Sequence, residues 1–301
     1  MSDLSSSHSD ATSQPRISVV TVTFNLLEAG RKSDFERMIK CVQAQNRTSC
    51  EHVIQDGGST DGTVAFIKEL TSGLPDIRFE SVKDDGLYDG MNRAALRARG
   101  QYLLFLNSDD ALASDDVLRQ AEQALASDTP DFMFGSAVVE DPETGQRTVA
   151  RTNPRAVLQR MPFCHNSVFI RRDVFLALGG HDTTFPVAAD YDLVLRLYSS
   201  GYQGTDLGIP ISLFWTRGVT SDDSRTGRDY AAVWKRFFSN YPSCATLTEK
   251  DFEQIYHKGH MPLKLILDLI RMNKRKSALH SAAKHSLAKT LKRSVQPWRF
   301  R

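Results

Sequence analysis

Through its first 110 residues the chain alternates short apolar runs with stretches in which apolar residues recur every three or four positions. Ile17-Ser-Val-Val-Thr-Val-Thr-Phe24 is rich in β-branched residues and closed by Asn25, the make-up of a buried strand. Helical spacing follows at 35–44, a short strand at His52-Val-Ile-Gln55, a helix at 63–70, a third strand at 77–82 and a helix at 91–99. Tyr102-Leu-Leu-Phe-Leu106 is apolar at every position, as central strands of parallel sheets are. This βαβαβαβ order predicts an α/β fold with a doubly wound, mostly parallel sheet flanked by helices. Beyond it the pattern predicts a helix from Ser114 to about residue 127, strands at 132–139 and 166–170, and a helix at 191–199. After Gly218 the signal weakens to a helix at 230–238 with Trp234, Phe237 and Phe238 facing inward.

Composition adds limits. With 41% hydrophobic residues over 301 positions, disorder throughout is excluded. Charge is unevenly distributed: from Lys258 onward lie 12 of the 38 Lys and Arg but only one of the 36 acids, Asp268, which makes the tail about +11 and everything before it about −9. Such a tail calls for a negatively charged surface as its partner. Residues 1–16, rich in Ser, Asp, Thr and His, read as a disordered segment without a signal peptide or anchor. Cys41, Cys50, Cys164 and Cys244 show neither zinc-ligand spacing nor a disulfide framework, so a reducing, cytoplasmic setting is expected. No run reaches the roughly 20 apolar residues of a transmembrane helix.

Ligands of open parallel sheets sit beyond the carboxyl ends of the strands, which gives weight to three polar clusters there. Asp56-Gly-Gly-Ser-Thr-Asp-Gly-Thr63 combines glycines that permit close backbone approach, a carboxylate for a base or ribose, and Thr60 and Thr63 as helix caps. It is not the dinucleotide fingerprint, and a plain glycine-rich turn is its simpler meaning. Asn107-Ser-Asp-Asp110 places two carboxylates at a strand end, suited to a hard divalent cation bridging to a diphosphate. By contrast Asp115-Asp116 suits a helix start and Asp222-Asp223 a solvated loop. In Asp84-Asp-Gly-Leu-Tyr-Asp-Gly-Met-Asn-Arg93 an acidic glycine turn leads into a helix offering Asn92 and Arg93, the latter able to pair with phosphate.

Taken in order with Thr-Phe-Asn25, Pro-Phe-Cys-His165 and Ala-Ala-Asp-Tyr-Asp192, these motifs closely resemble the family 2 glycosyltransferases of GT-A fold. The likeness is nearest to bacterial exopolysaccharide enzymes of the colanic acid type. It spans about residues 17–220, implying a glycosyltransferase domain with a nucleotide-binding half at 17–110 and an acceptor half at 111–220. A variable helical segment at 221–257 and a basic amphipathic tail at 258–301 complete the expected organisation.

The resemblance implies that Thr23, Asn25, Asp56, Asp89, Asn92 and Arg93 line the nucleotide and diphosphate pocket. Asp109 would lie beside the ribose and Asp110 would be the principal ligand of Mn2+ or Mg2+, with Ser108 standing where a strict D-x-D has its first acid. Asp190 matches the family's base, Asp192 being the nearest rival, and helix capping is the simpler role for an acid there. His165 and Arg217 match positions near the acceptor or diphosphate, while a core histidine and a solvated loop arginine are the plainer alternatives.

Neither the Q-x-x-R-W element nor the membrane helices of processive synthases are present, so one sugar per acceptor is expected. The implied activity is inverting, metal-dependent transfer from a nucleoside-diphosphate sugar to a polyprenyl-diphosphate-linked saccharide. The competing functions are a nucleotidyltransferase, which needs a basic glycine-rich phosphate loop that this sequence lacks, and an inactive sugar-nucleotide-binding scaffold. In 263–272 the residues Lys264, Asp268 and Arg271 form one polar stripe beside a broad apolar face, the pattern of an interfacial segment on anionic lipid. Peripheral attachment to the cytoplasmic face of the inner membrane is therefore expected, with docking on the acidic body as the alternative and no nucleic acid as partner.

Overall fold

The computed structural model describes residues 14–46, 49–215, 223–259, 261–273 and 277–295. Arg217, Lys274, Arg275 and Lys276 thus lie outside the described residues, as do 1–13 of the segment expected to be disordered. Residues 14–16 depart from that expectation: the amides of Gln101 and Tyr102 donate to the carbonyls of Pro15 and Arg16, which prolongs strand pairing ahead of the first strand.

Strands β1 (Ile17–Thr23), β2 (Cys50–Asp56), β3 (Ile77–Ser81) and β4 (Tyr102–Phe105) alternate with helices α1 (Lys32–Gln43), α2 (Thr63–Leu70) and α3 (Leu87–Arg97). They run parallel in the order β3-β2-β1-β4, so the winding reverses beside β1. Register places Thr23 opposite Asp56 and Asp56 opposite Ser81, bringing three polar strand ends into one row. Helix α3 begins four residues earlier than its periodicity predicts, because Gly86 at φ +112° turns the chain directly into it.

The chain continues through β5 (Ala111–Leu112), α4 (Val117–Ser127), β6 (Phe132–Glu140), β7 (Arg147–Ala150), β8 (Val168–Arg171), α5 (Arg172–Ala177), α6 (Ala189–Ser199) and β9 (Gly204–Trp215). Strand β8 joins the first half antiparallel to β4 and to β6, while β9 runs parallel to β6. Pattern alone misses β9, since Gly208 at φ +68° and Pro210 interrupt it. The ladder to β6 absorbs both by shifting register between Phe134 and Ala137.

Alternation along β4 shows why it is apolar throughout: Tyr102 and Leu104 enter one core and Leu103 and Phe105 the other, on opposite faces of the sheet. The second of these cores is completed by α7 (Asp223–Phe238), α8 (Glu249–Lys258), α9 (Leu263–Met272) and α10 (Ala278–Val295). Helix α8 opens on a capping box between Thr248 and Asp251 and stops at Gly259, φ +65°.

The described helices of the basic tail, α9 and α10, are therefore part of the body, which corrects the expectation that the apolar face of 263–272 is offered to lipid. Leu265, Ile266 and Leu269 of α9 and Leu279, Ala282 and Ala283 of α10 are buried against the α6 side of the sheet. Periodicity identified the apolar face correctly but cannot say what covers it; here the hairpin of α9 and α10 covers itself against the domain. Lys264, Arg271, Lys284 and Lys289 remain exposed. Leu269→Ala should lower unfolding free energy by about 2–5 kcal/mol, the range for a buried leucine, measured by urea denaturation. Unchanged stability would show that α9 does not contribute to the core.

Candidate active site

Asp56 ends β2 fully buried, with both carboxylate oxygens engaged. Thr23 Oγ1 and Ser59 Oγ donate to Oδ1, and the amides of Gly58 and Ser59 with Ser81 Oγ donate to Oδ2. Expected as a base contact, Asp56 here shapes the β2–α2 turn by gathering donors from β1, β3 and its own loop. Asn25 has φ +45°, a conformation tolerated by Asn, and its Oδ1 accepts from the Thr60 amide while its own amide donates to Ser59 Oγ at 2.7 Å. Between Thr23 and Asn25, Phe24 is 63% exposed, a large aromatic in solvent beside this turn.

Across from it, Asp84 sits between two glycines. A Cβ on Gly57 would come within 2.8 Å of its Oδ1, and one on Gly90 within 2.7 Å of its Oδ2. Burial raises the Asp84 carboxyl above its ordinary range, and the neighbouring Asp89 adds to the shift. Arg93 Nε donates to Asp89 Oδ2 at 2.7 Å and stays 40% exposed, a guanidinium held by one carboxylate at the rim. Asn92 is used differently from expectation: its Nδ2 donates to His181 O and its Oδ1 accepts from His181 N, both at 2.8 Å, so it fastens α3 to the segment before α6.

At the end of β4, Asn107 Nδ2 lies 3.2 Å from His165 Nε2, and Asp110 is buried with its Oδ2 accepting from Asn166 at 2.9 Å. Asp109 is more open and pairs with Arg31 at 3.2 Å. On its other side His165 presents Nδ1 to Asp190 Oδ2 at 3.6 Å. Asp190 stands in the first turn of α6, 20% exposed, with the Tyr88 hydroxyl against it. Asn107, Asp110, His165 and Asp190 are thus brought together from three distant stretches of chain. Burial raises both Asp110 and Asp190 above the ordinary carboxylate range; Asn166 and then His165 counter the rise at Asp110, and His165 does so first at Asp190.

Asp192, two residues on, faces elsewhere. It is buried, pairs with Arg196 at 2.7 Å and also with Arg236, which in turn pairs with Asp182. A cleft of about 960 Å³ opens beside that network, bounded by α3, α6, α7 and α9. Of the expected residues it reaches only Asp89 and Asn92, and its Asp182 and Asp192 pair with Arg196 and Arg236 of the same lining.

Three residues at the site escaped sequence reasoning. Asn166 and Tyr88 lay beside or within quoted motifs but had no chemical signal of their own, and Arg31 stands in no motif. Among the described residues no three His, Cys, Asp or Glu side chains form a ready cation cage. The donors present nevertheless fit a divalent cation that shares its ligands with a diphosphate: Asp109 and Asp110 supply carboxylates, and Asn107 Oδ1 is buried with no hydrogen-bond partner.

Residues 18–183 match the model of glycosyl transferase family 2. A protein of Mycobacterium tuberculosis named as an uncharacterized glycosyltransferase is 34% identical over 191 residues, covering 62% of this chain and 70% of its own. Among solved structures, S. aureus TarS residues 1–349 in complex with UDP-GlcNAc superposes with a TM-score of 0.58 at 15% identity, over 87% of this chain and 74% of that one. The mannosyltransferase PcManGT from Pyrobaculum calidifontis, in complex with GDP-Man and Mn2+, gives 0.55 at 18% identity, over 93% and 76%. At such identities the likeness establishes the fold, which is GT-A.

The two aspartates of α6 should respond oppositely to removal of charge. A carboxyl with a raised folded value holds its proton more tightly in the native state, so its contribution is largest when protonated and declines as pH rises from the ordinary Asp range through the folded value. Asp190→Asn should therefore gain thermal stability relative to wild type as pH rises toward neutral. Asp192→Asn should lose about 2–3 kcal/mol, less than a fully buried pair because Arg236 is 44% exposed. Melting temperatures from pH 4 to 7.5 check both; a stability loss in Asp190→Asn at neutral pH would contradict the assignment of burial as the cause.

Proposed function

The chain belongs to glycosyl transferase family 2, and on that premise we propose that it is an inverting, metal-dependent enzyme moving one sugar from a nucleoside-diphosphate sugar to a lipid-linked saccharide. The observation that carries the reading is the convergence of Asp190, His165, Asn107 and Asp110: a carboxylate whose proton affinity is raised by burial stands across one imidazole from a pair of carboxylates at the end of the central strand.

The nucleotide is assigned to the edge formed by β1, β2 and the start of α3. There Thr23 and Asn25 border it, Phe24 offers an exposed ring face to the base, and Asp89 presents Arg93 to the diphosphate. Asp56 acts through the turn it organises. Asp110, with Asp109 and Asn107, would hold Mn2+ or Mg2+, which when bound neutralises charge on the departing diphosphate. Asp190, whose Oδ1 accepts from the Tyr191 amide at 2.7 Å, takes the proton of the acceptor hydroxyl at Oδ2, the oxygen facing His165, as that hydroxyl attacks the anomeric carbon opposite the diphosphate. His165 keeps the carboxylate aimed by facing it through Nδ1 while Nε2 is tied to Asn107.

The acceptor proposed is a polyprenyl-diphosphate-linked saccharide, a reading that rests on the resemblance of the motifs alone, and with it goes attachment at the cytoplasmic face of the inner membrane. No helix among the described residues is long and apolar enough to cross a membrane. With Leu265, Ile266 and Leu269 of α9 buried, the described residues available for attachment include the exposed Lys264, Arg271, Lys284 and Lys289.

Thermal shift with UDP, GDP and their sugars, with and without Mn2+, should show cation-dependent stabilisation that Asp110→Asn abolishes. Asp190→Asn should keep that stabilisation and lose transfer by about 10²-fold or more. Transfer unaffected by either change would refute the assignment. Binding to anionic vesicles should weaken steeply as salt rises, because screening removes the charge term and Leu265, Ile266 and Leu269 of α9 are buried in the core; co-sedimentation that persists undiminished at 1 M salt would overturn this.

A further inference from the structure

Helix α6 carries Asp190 in its first turn yet has no cap of its own, since Ala188 fills the N-cap position. The acceptor comes from 41 residues downstream of Ala188. The amides of Val187 and Ala188 both donate to the same oxygen, Oδ2 of Asp229, at 2.7 Å each. Asp229 lies on α7, and the next residue, Tyr230, stacks on Tyr191 with ring centroids 4.4 Å apart. One turn further, Trp234 Nε1 donates to the Tyr191 hydroxyl at 2.8 Å. From the opposite side, the Tyr88 hydroxyl of α3 donates to the carbonyl of Val187 at 2.9 Å. The peptide that leads into Asp190 is thus held by its carbonyl from α3 and by its amides from α7.

We propose that Asp229 is a positioning residue for the transfer reaction. By collecting two successive amides on one oxygen it fixes the direction in which α6 starts, and with it the place of the Asp190 carboxylate relative to the acceptor hydroxyl. Amides at a helix start carry unsatisfied donors and partial positive charge, which a carboxylate matches better than a neutral group. Asp229 makes no contact with His165, Asn107 or Asp110 among its hydrogen bonds, so its influence passes through the α6 turn. The proposal rests on Asp190 as the base.

The test uses the full-length protein with a sugar-nucleotide donor and a soluble saccharide acceptor. Asp229→Leu should lower kcat by about 10- to 100-fold, the penalty of a misplaced reacting group, while leaving the donor KM within about threefold. Asp229→Asn keeps a carbonyl oxygen for both amides and should restore kcat to within about threefold of wild type. Asp251→Ala, which removes an ordinary helix cap far from the site, should lower the melting temperature without lowering kcat. Should Asp229→Leu fail to fold, Asp229→Ser withdraws the acceptor with a smaller side chain and the same readout applies. Full kcat in Asp229→Leu, or a matched fall in kcat for Asp229→Asn and Asp229→Leu, overturns the positioning role. Asp190→Asn is measured alongside: if it transfers normally, the base assignment fails and this proposal with it, whereas loss in Asp190→Asn with full kcat in Asp229→Leu overturns the positioning role alone.

Discussion

A carboxylate removed from water must be supplied with donors or carry a cost, and the working edge of this sheet is laid out by where each alternative is taken. Asp56 receives five hydrogen bonds, and in doing so binds the ends of β1, β2 and β3 into one rigid turn. Asp192 receives two guanidinium groups, which lock α6 to α7 and to the segment before it. Asp110 and Asp190 receive less, and burial raises both. The saturated pair builds the frame; the undersupplied pair stands where the proposed reaction needs a cation ligand and a proton acceptor.

That division depends on the two halves of the sheet being locked together. The parallel half delivers Thr23, Asp56 and Asn107 to one edge because its strands run the same way. Antiparallel β8 then brings the preceding His165–Ser167 turn back to that edge, so His165 meets Asn107 and Asn166 meets Asp110. Helix α6 approaches from the other core and adds Asp190. No single element holds both a cation donor and the base, so small shifts of α6 against β4 would separate them.

The C-terminal helices act at the level of the core. Helices α7 to α10 cover the face of the sheet against which α3 and α6 pack, and α7 reaches the α6 start through Asp229, Tyr230 and Trp234. Burying α9 by its leucine face leaves its lysine and arginine in solvent, so the same helix that closes the core also keeps positive charge outside.

Local pattern alone determined a good deal of this. The βαβαβαβ order, the parallel half of the sheet, the polar strand ends and the motif order of the family were all readable, because strand and helix periodicities and turn residues act over a few positions. Residue type also marked Asp110 and Asp190, although it could not separate Asp190 from Asp192. That choice, the structural use of Asn92 and the completion of the Asp56 hydrogen bonds by Thr23 and Ser81 depend on partners that lie 25 to 89 positions away. Strand β9 was hidden for a similar reason, since only the ladder to β6 compensates for Gly208 and Pro210. The amphipathic face of 263–272 was legible as well, but an apolar face is the same object whether lipid or protein covers it. What covers it was decided by the shape of the core left open beside α6, a property of the assembled chain and of no segment within it.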